Sequence, residues 1–337
     1  MKISVLINNY NYQNYVVDAI DSVLLQSVPV DEIIVVDDKS TDDSVKLLKE
    51  KYAGHEKVKL VLKNENQGQL SSFHEGFFAS SGDIICFLDA DDLYKQDYVE
   101  QIVKFYMQHP ECDFLFCSAE VFGNEEKIVD AYETNRDLGI SRIVTLYQKV
   151  WLGHRTSTFS MRRQVLDKIF PIPYLEDWRI RADDCLTYGS SIVGARKFYL
   201  AQPLIKYRVH GQNGYYGRSH EKTTEYKQRY EQAVERLIAY LSKKMNYPNN
   251  LYEQAHIEFR TIPHPLIQEY VNVKSLLNEV KLPLWKKFIM FVSIYTHFRT
   301  KGDFSGRFFP PARQLPASPQ EIDVKKQEPA HSLLTRG

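Results

Sequence analysis

The sequence predicts an α/β fold, with a central, mainly parallel sheet flanked by helices and a helical extension at the C-terminal end. Three observations carry that expectation. Short apolar runs alternate with segments of helical period through the first ninety residues. Each run ends in polar residues, and in parallel sheets ligands gather beyond those carboxyl ends. From Ser219 onward the apolar period is that of helices.

Taken in order, Ile3–Ile7 and Ile33–Val36 are nearly continuous apolar runs, the pattern of strands buried on both faces. Between them Val16, Val17, Ile20, Val23, Leu24 and Leu25 recur at helical spacing. Val58–Leu62 reads as a third strand, Leu70–Ala79 as a helix and Ile84–Leu88 as a fourth strand. Their tips carry Asn8-Asn9-Tyr10-Asn11, Asp37-Asp38, Asn64-Glu65-Asn66 and Asp89 to Asp92, four polar clusters on one rim. Farther along come a helix at Tyr98–Gln108 and strands at Phe114–Ala119 and Phe198–Leu200, with loops at Gly153–Thr158 and Pro171–Arg181. Tyr226, Tyr230, Ala233, Leu237, Tyr240 and Leu241 mark a long amphipathic helix ending near Lys244. Further helices are expected near Leu251–Arg260 and Ile267–Val280.

Residues 282–300 join a short apolar block to Trp285 and flanking Lys and Arg. The block is too short to span a bilayer. It suits either peripheral contact with a membrane interface or a helix packed on its own domain. From Pro310 the chain is rich in Pro, Gln and charge without apolar period, which predicts a disordered tail.

The 337 residues carry 43 Lys+Arg and 43 Asp+Glu, so no global basic field exists and nucleic acid is not an expected partner. Aromatics reach 13%, which fits sugar or base stacking and a Tyr-rich core equally. Cys86, Cys112, Cys117 and Cys185 lack close metal-ligand spacing and read as buried thiols of a reducing compartment. With a strand starting at once and no leader ahead of it, the expected location is cytoplasmic, with the inner face of the cell membrane as the site of any peripheral contact.

The densest chemistry lies at Phe87-Leu88-Asp89-Ala90-Asp91-Asp92. An apolar run delivers three carboxylates where a strand should end. Such neighbours repel, so they need a cation or exposure to water. Hard oxygen ligands suit Mg2+ or Mn2+, ions commonly shared with substrate phosphates. An acidic turn after a buried strand is the plainer reading of the same residues.

Around this cluster, residues 1–100 resemble the nucleotide-binding half of glycosyltransferase family 2, enzymes of the GT-A (Rossmann-like) fold. The matching pieces are Asn8 to Asn11, Ala19 to Val23, Gln26-Ser27, Ile33 to Asp42 and Asn66 to Asp92, including Asn66-Gln67-Gly68-Gln69, Phe73 and Gly76. The resemblance implies an inverting, metal-dependent enzyme using a nucleotide-diphosphate sugar, of UDP or dTDP type, with a saccharide or lipid-linked saccharide as acceptor. It implies that Asp38 accepts the imide N–H of a uracil or thymine ring, with Asn8 and Tyr10 beside the base and Asn66 and Gln69 near the donor. Asp89 would meet the ribose and Asp91 the Mg2+ or Mn2+, with Asp89 as a further ligand; Asp92 would hold a metal-bound water or cap the next helix.

Residues 152–213 resemble the acceptor half of the same family. There, Ala182-Asp183 matches a variant of the Glu-Asp that precedes a Leu, which implies Asp183 as general base, or Asp184 if the register slips by one. The alternative for both is a helix cap. Arg208 and His210 lie two apart on an extended stretch and so face one side. They are expected to touch the diphosphate or the metal, with His154 and Thr156-Ser157-Thr158 lining the acceptor cleft. The organisation implied is a GT-A domain over residues 1–215, divided near 100, a helical extension over 216–309 and a tail over 310–337.

Two other functions compete. A sugar-1-phosphate nucleotidyltransferase shares this sheet topology but calls for a Gly-rich, Arg-containing loop after the first strand, where this chain has Asn8-Asn9-Tyr10-Asn11. A non-catalytic nucleotide-sugar-binding module would not need both Asp91 and Asp183.

Overall fold

Residues whose side chains alternate between two apolar faces must be sandwiched, and the strands are. In the computed structural model, which describes residues 1–211, 213 and 223–304, the first four strands are β1 (Ile3–Asn9), β2 (Glu32–Asp37), β3 (Val58–Leu62) and β4 (Ile84–Asp89). They lie in the order β3-β2-β1-β4, all parallel. Val5, Ile7, Ile33, Val35, Cys86 and Leu88 face one core with α1 (Val16–Leu24) and α2 (Ser44–Tyr52). Leu6, Ile34, Val36, Ile85 and Phe87 face the other, with α3 (Gln69–Ala79). The period of two thus sorts each strand's side chains onto opposite faces.

The chain continues through β5 (Leu93–Tyr94), α4 (Tyr98–Gln108), β6 (Phe114–Gly123), β7 (Lys127–Val129), β8 (Arg136–Ile140) and α5 (Arg142–Gln148). Next come β9 (Phe159–Arg162), α6 (Arg163–Ile169), α7 (Ala182–Ile192) and β10 (Arg196–Val209). Among the described residues these strands extend the one sheet to β3-β2-β1-β4-β9-β6-β10-β5, with β7 on β6 and β8 on β10. β9 is antiparallel to both β4 and β6, and β6 is parallel to β10. β1, β2, β3, β4, β6 and β10 therefore point one way, as a mainly parallel sheet requires.

β10 runs for 14 residues, far beyond the expected Phe198–Leu200. Gln202-Pro203 breaks the apolar run, and the pairing with β6 shifts register on both sides of Pro203, where a ladder N–H is missing. The strand survives the interruption through its two neighbours. Its far end, Tyr207 to Val209, is what reaches the β4 tip.

The helical segment is shared between two cores. α8 (Thr224–Lys244) sets Ala233, Val234, Leu237 and Leu241 into the α3-side core beside Ala182 and Leu186 of α7. A third core gathers Ile143 with Leu251, α9 (Ala255–Phe259), α10 (Ile267–Glu279) and α11 (Leu284–Lys301). The four cysteines are free and buried. No helix among the described residues is long and apolar enough to cross a membrane. The tail expected from Pro310 lies outside the described residues.

Candidate functional site

The parallel strands converge on a cleft of about 850 Å³ at their carboxyl ends. One wall is made of strand tips: Asn8 to Tyr12 at the end of β1, Asp38 after β2, Asn66, Gly68 and Gln69 at the head of α3, and Asp89 and Asp91 at the β4 tip. The other wall is made of loops and one helix start: Arg155 and Thr156, then Arg179 to Arg181, then Asp183, with Tyr207 and Asn213 completing the lining. Asp91 and Asp183, over ninety residues apart in sequence, line the same space. A second cavity, about 700 Å³, lies between α5, α8 and α10 and borders Arg181 as well. It has no strand-tip carboxylates, so the chemistry belongs to the first.

Two short segments join the walls. Asp38 is buried and accepts from Lys63 Nζ at 2.5 Å, Gln67 N at 3.0 Å and Gly68 N at 2.7 Å, which pins the loop ahead of α3. Both oxygens serve this loop, so a nucleobase N–H would have to share them. Gly68 has φ of +90°, and a Cβ there would collide with the Arg179 backbone; only glycine fits. Its neighbour Gln69 takes a backbone bond from N to Arg179 O at 3.0 Å. Gln69 Nε2 then donates to Asp89 Oδ1 at 2.9 Å, while its Oε1 accepts from Ala182 N at 3.2 Å. One amide therefore ties the β4 carboxylate to the first turn of α7. Asn66 is gripped by Arg179 through its carbonyl, at 3.0 Å, and its side-chain oxygen.

The β4 tip is crowded with charge. Asn8 Nδ2 donates to Asp89 Oδ1 at 2.8 Å when its amide is oriented to suit its neighbours. Burial pushes the Asp89 carboxyl up to about 8, helped by the nearby Asp91 and Asp183 charges and opposed by the Gln69 and Asn8 bonds. Asp92 is also held well above the usual carboxylate range, first by burial and then by Asp91 and Asp89. Tyr12 and Tyr207 are raised too, mainly by burial and next by the carboxylate charge. Asp91 Oδ2 meets His210 Nε2 at 3.1 Å and Asn213 Nδ2 at 3.3 Å. Excess negative charge beside an imidazole is a donor set that suits a divalent cation. Among the described residues no three His, Cys, Asp or Glu side chains gather closely enough to hold an ion alone. Such an ion would draw its other ligands from substrate or water, the habit of Mg2+.

Asp183 and Asp184 are adjacent but opposed. Arg181 precedes them in a left-handed conformation, φ 68°, and starts α7. Asp183 lines the cleft, and its Oδ1 accepts from Asp184 N at 3.1 Å. Asp184 is fully buried away from the cleft and pairs with Arg181 Nε at 2.5 Å and Tyr230 Oη at 3.1 Å. The possibility of Asp184 as base is corrected accordingly: its carboxylate anchors α7 to α8.

Arg208 also departs from expectation. It does not line the cleft but clamps the tip from behind, with N donating to Asp92 Oδ1 at 2.9 Å and Nε to Asp91 O at 2.9 Å. His210 shares that side as expected, packed on Tyr15 with ring centroids 4.6 Å apart. Asp92 neither caps a helix nor faces the cleft; Ser157 Oγ donates to it at 2.5 Å and also accepts from Asp89 N at 3.1 Å. Of the loop expected at the acceptor side, Thr156 lines the cleft, whereas His154 is buried outside it. Tyr10 stands exposed at the rim. Tyr12, Arg155, Arg179, Tyr207 and Asn213 received no role from the sequence; only their nearness to polar tips and loops signalled them.

The family model described as Glycosyl transferase family 2 matches residues 4–170. An uncharacterized glycosyltransferase of Nostoc sp. is 36% identical over 218 residues, covering 64% of this chain and 67% of that protein. The putative teichuronic acid biosynthesis glycosyltransferase TuaG of Bacillus subtilis is 32% identical over 130 residues, 39% of this chain and 51% of that one. Among solved structures, S. aureus TarS 1–349, crystallised with UDP-GlcNAc, has a TM-score of 0.52 at 15% identity and covers 90% of this chain and 93% of its own. That last likeness concerns the fold, which is the GT-A arrangement of sheet and helices. By sequence, the chain is a glycosyltransferase and belongs to glycosyltransferase family 2.

Proposed function

We propose that the chain moves a sugar from a nucleotide-diphosphate sugar, of UDP or dTDP type, to a hydroxyl of a saccharide or lipid-linked saccharide, inverting the anomeric centre. The observation that supports it most is the cleft shared by Asp91 and Asp183. In this reading Asp183 takes the proton from the acceptor hydroxyl as that oxygen bonds to the anomeric carbon. The bond from that carbon to the diphosphate breaks on the opposite side, and its electron pair leaves with the diphosphate. Asp91, with Asp89 or His210 beside it and the substrate's own oxygens, would hold a Mg2+ or Mn2+ ion, which when bound supplies countercharge for the departing diphosphate. Asn8, Tyr10, Asn66 and Gln69 border the donor, while Arg208 and Asn213 keep the Asp91 region in place.

Gln69 gives the reading a mechanical side. By bonding both Asp89 and the Ala182 N–H, it keeps the base at a set distance from the donor carboxylates. Positioning of this kind lowers the entropic cost of bringing two substrates together.

The test is release of UDP from UDP-sugars, beginning with UDP-GlcNAc because the TarS domain was crystallised with it. Slow hydrolysis that needs Mn2+ and disappears in Asp91→Ala is the expected result. Pyrophosphate release would point to a nucleotidyltransferase instead. Binding without any turnover, even with a panel of acceptors, would leave a nucleotide-sugar-binding module.

A further inference from the structure

Helix α11 carries large apolar side chains on two sides, and the fold covers only one of them. Met290, Ile294 and Phe298 are buried in the third core. Leu284, Trp285, Phe288, Ile289, Val292 and Tyr295 face outward, from 46% exposed at Val292 to 85% at Leu284. At roughly 100° per residue these six fall within an arc of about 140° along three turns. So many large exposed apolar side chains on one face mark an interaction surface rather than the scattered exposure of a soluble monomer. The face therefore has an occupant.

Charge selects it. α11 holds Lys286, Lys287, Arg299 and Lys301 and no acidic residue, although the chain as a whole is neutral. Lys286 pairs with Glu253 at 2.5 Å, and Lys287 donates to Asn278 O at 3.1 Å, which holds both beside the first turn. Arg299 lies in the same arc as the apolar residues, one turn beyond Tyr295. Trp285 near one end and Tyr295 toward the other have the amphipathic rings that settle at the headgroup level. A two-fold pairing of this face with itself would set one acid-free cationic helix against another. An anionic lipid surface meets both the apolar arc and the Arg299 charge that lies on it.

We propose that the outward face of α11 lies flat in the headgroup–acyl boundary of an anionic bilayer, Leu284 to Tyr295 in the apolar layer and Arg299 among the headgroups. The site is independent of the transfer chemistry, so its failure and that of the catalytic reading are separable.

Flotation of the full chain tests it, with vesicles of phosphatidylcholine alone and of phosphatidylcholine with an equal share of phosphatidylglycerol. The full chain should float with the anionic vesicles and at least tenfold less with the neutral ones. Phe288→Ser with Val292→Ser should cut flotation at least tenfold while melting temperature and UDP-sugar hydrolysis stay unchanged. Arg299→Glu should abolish only the preference for anionic vesicles. Failure to float with either vesicle, or undiminished flotation of the serine variant, overturns the proposal. So does a dimer in sedimentation that the serine variant splits, since the occupant is then a second copy.

Discussion

The two walls of the cleft are built by different means. On the strand-tip wall, Asn8 pairs with Asp89 across β1 and β4, and Asn9 with Asp37 across β1 and β2, so the polar groups inherit their positions from sheet register. On the loop wall no ladder does this. Arg179 and the first turn of α7, which carries Asp183, are placed by long-range bonds to Asn66 and Gln69, and Asp184 is tied to Tyr230 of α8. A wall set by register resists single substitutions, because neighbouring strands still align it. A wall hung on a few side chains does not. The comparison also predicts asymmetry: changes in the segment 66–69 should disturb both walls, whereas changes within the loop wall should leave donor binding alone.

The largest expected effect separates the two neighbours on α7. Asp183→Asn should lower transfer by about 10²–10⁴-fold, the usual worth of a general base, while UDP still raises the melting temperature as in the parent. Asp184→Asn should do the reverse. Removing the carboxylate beside buried Arg181 should cost about 3 kcal/mol in urea unfolding, with the rate per folded molecule nearly kept. If transfer instead collapses in a stable Asp184→Asn protein, the two roles are exchanged.

Gly68→Ala comes next and reaches both walls. The residue sits at positive φ and against the Arg179 backbone, so a methyl group should cost about 2–4 kcal/mol and weaken the UDP-induced thermal shift. A stability within experimental error of the parent would show that the loop wall is not hung on this contact.

The smallest effect concerns the support beneath the loop wall. α5 packs against α7 and is held by Glu258, which accepts from Ile143 N at 2.5 Å and pairs with Arg142 at 3.3 Å. Burial is the leading cause that pushes Glu258 up to about 7, against 4.5 for the free group. The folded protein then keeps a proton that the unfolded chain has lost, so stability should fall as pH rises from about 4.5 to about 7, by at most ~1.4 kcal/mol per pH unit. Glu258→Gln should flatten that slope in denaturant titrations. An unchanged slope would assign the pH dependence to other groups.

Much of this was legible in the residues. The first four strands, the helices at 70–79 and 98–108 and the acidic β4 tip follow from local periodicity and from polar residues ending apolar runs. The GT-A fold followed from the motifs around them. Less legible was β10, because Gln202-Pro203 interrupts its apolar pattern while its neighbours keep it paired. Arg208 looked like a group for the diphosphate from its spacing to His210, but the strand turned its guanidinium onto the Asp91 carbonyl. Ser157 read as part of a hydroxyl cluster and proved to be a strut under Asp92 and Asp89. In α11 the sequence offered two readings, a packed helix and an interfacial one. The buried Met290 face belongs to the first, and the exposed Trp285 face keeps the second open.

What the sequence determined by itself was the succession of strands and helices and the rim on which carboxylates would collect, since periodicity and strand termination act over a few residues. Which carboxylate faces the cleft was decided only in three dimensions. Asp183 and Asp184 carry the same chemistry one residue apart, and the first turn of a helix points neighbouring side chains about 100° apart. A guanidinium from Arg181 and a hydroxyl from Tyr230, forty-six residues beyond Asp184, took one of them into the core and left the other to the cleft.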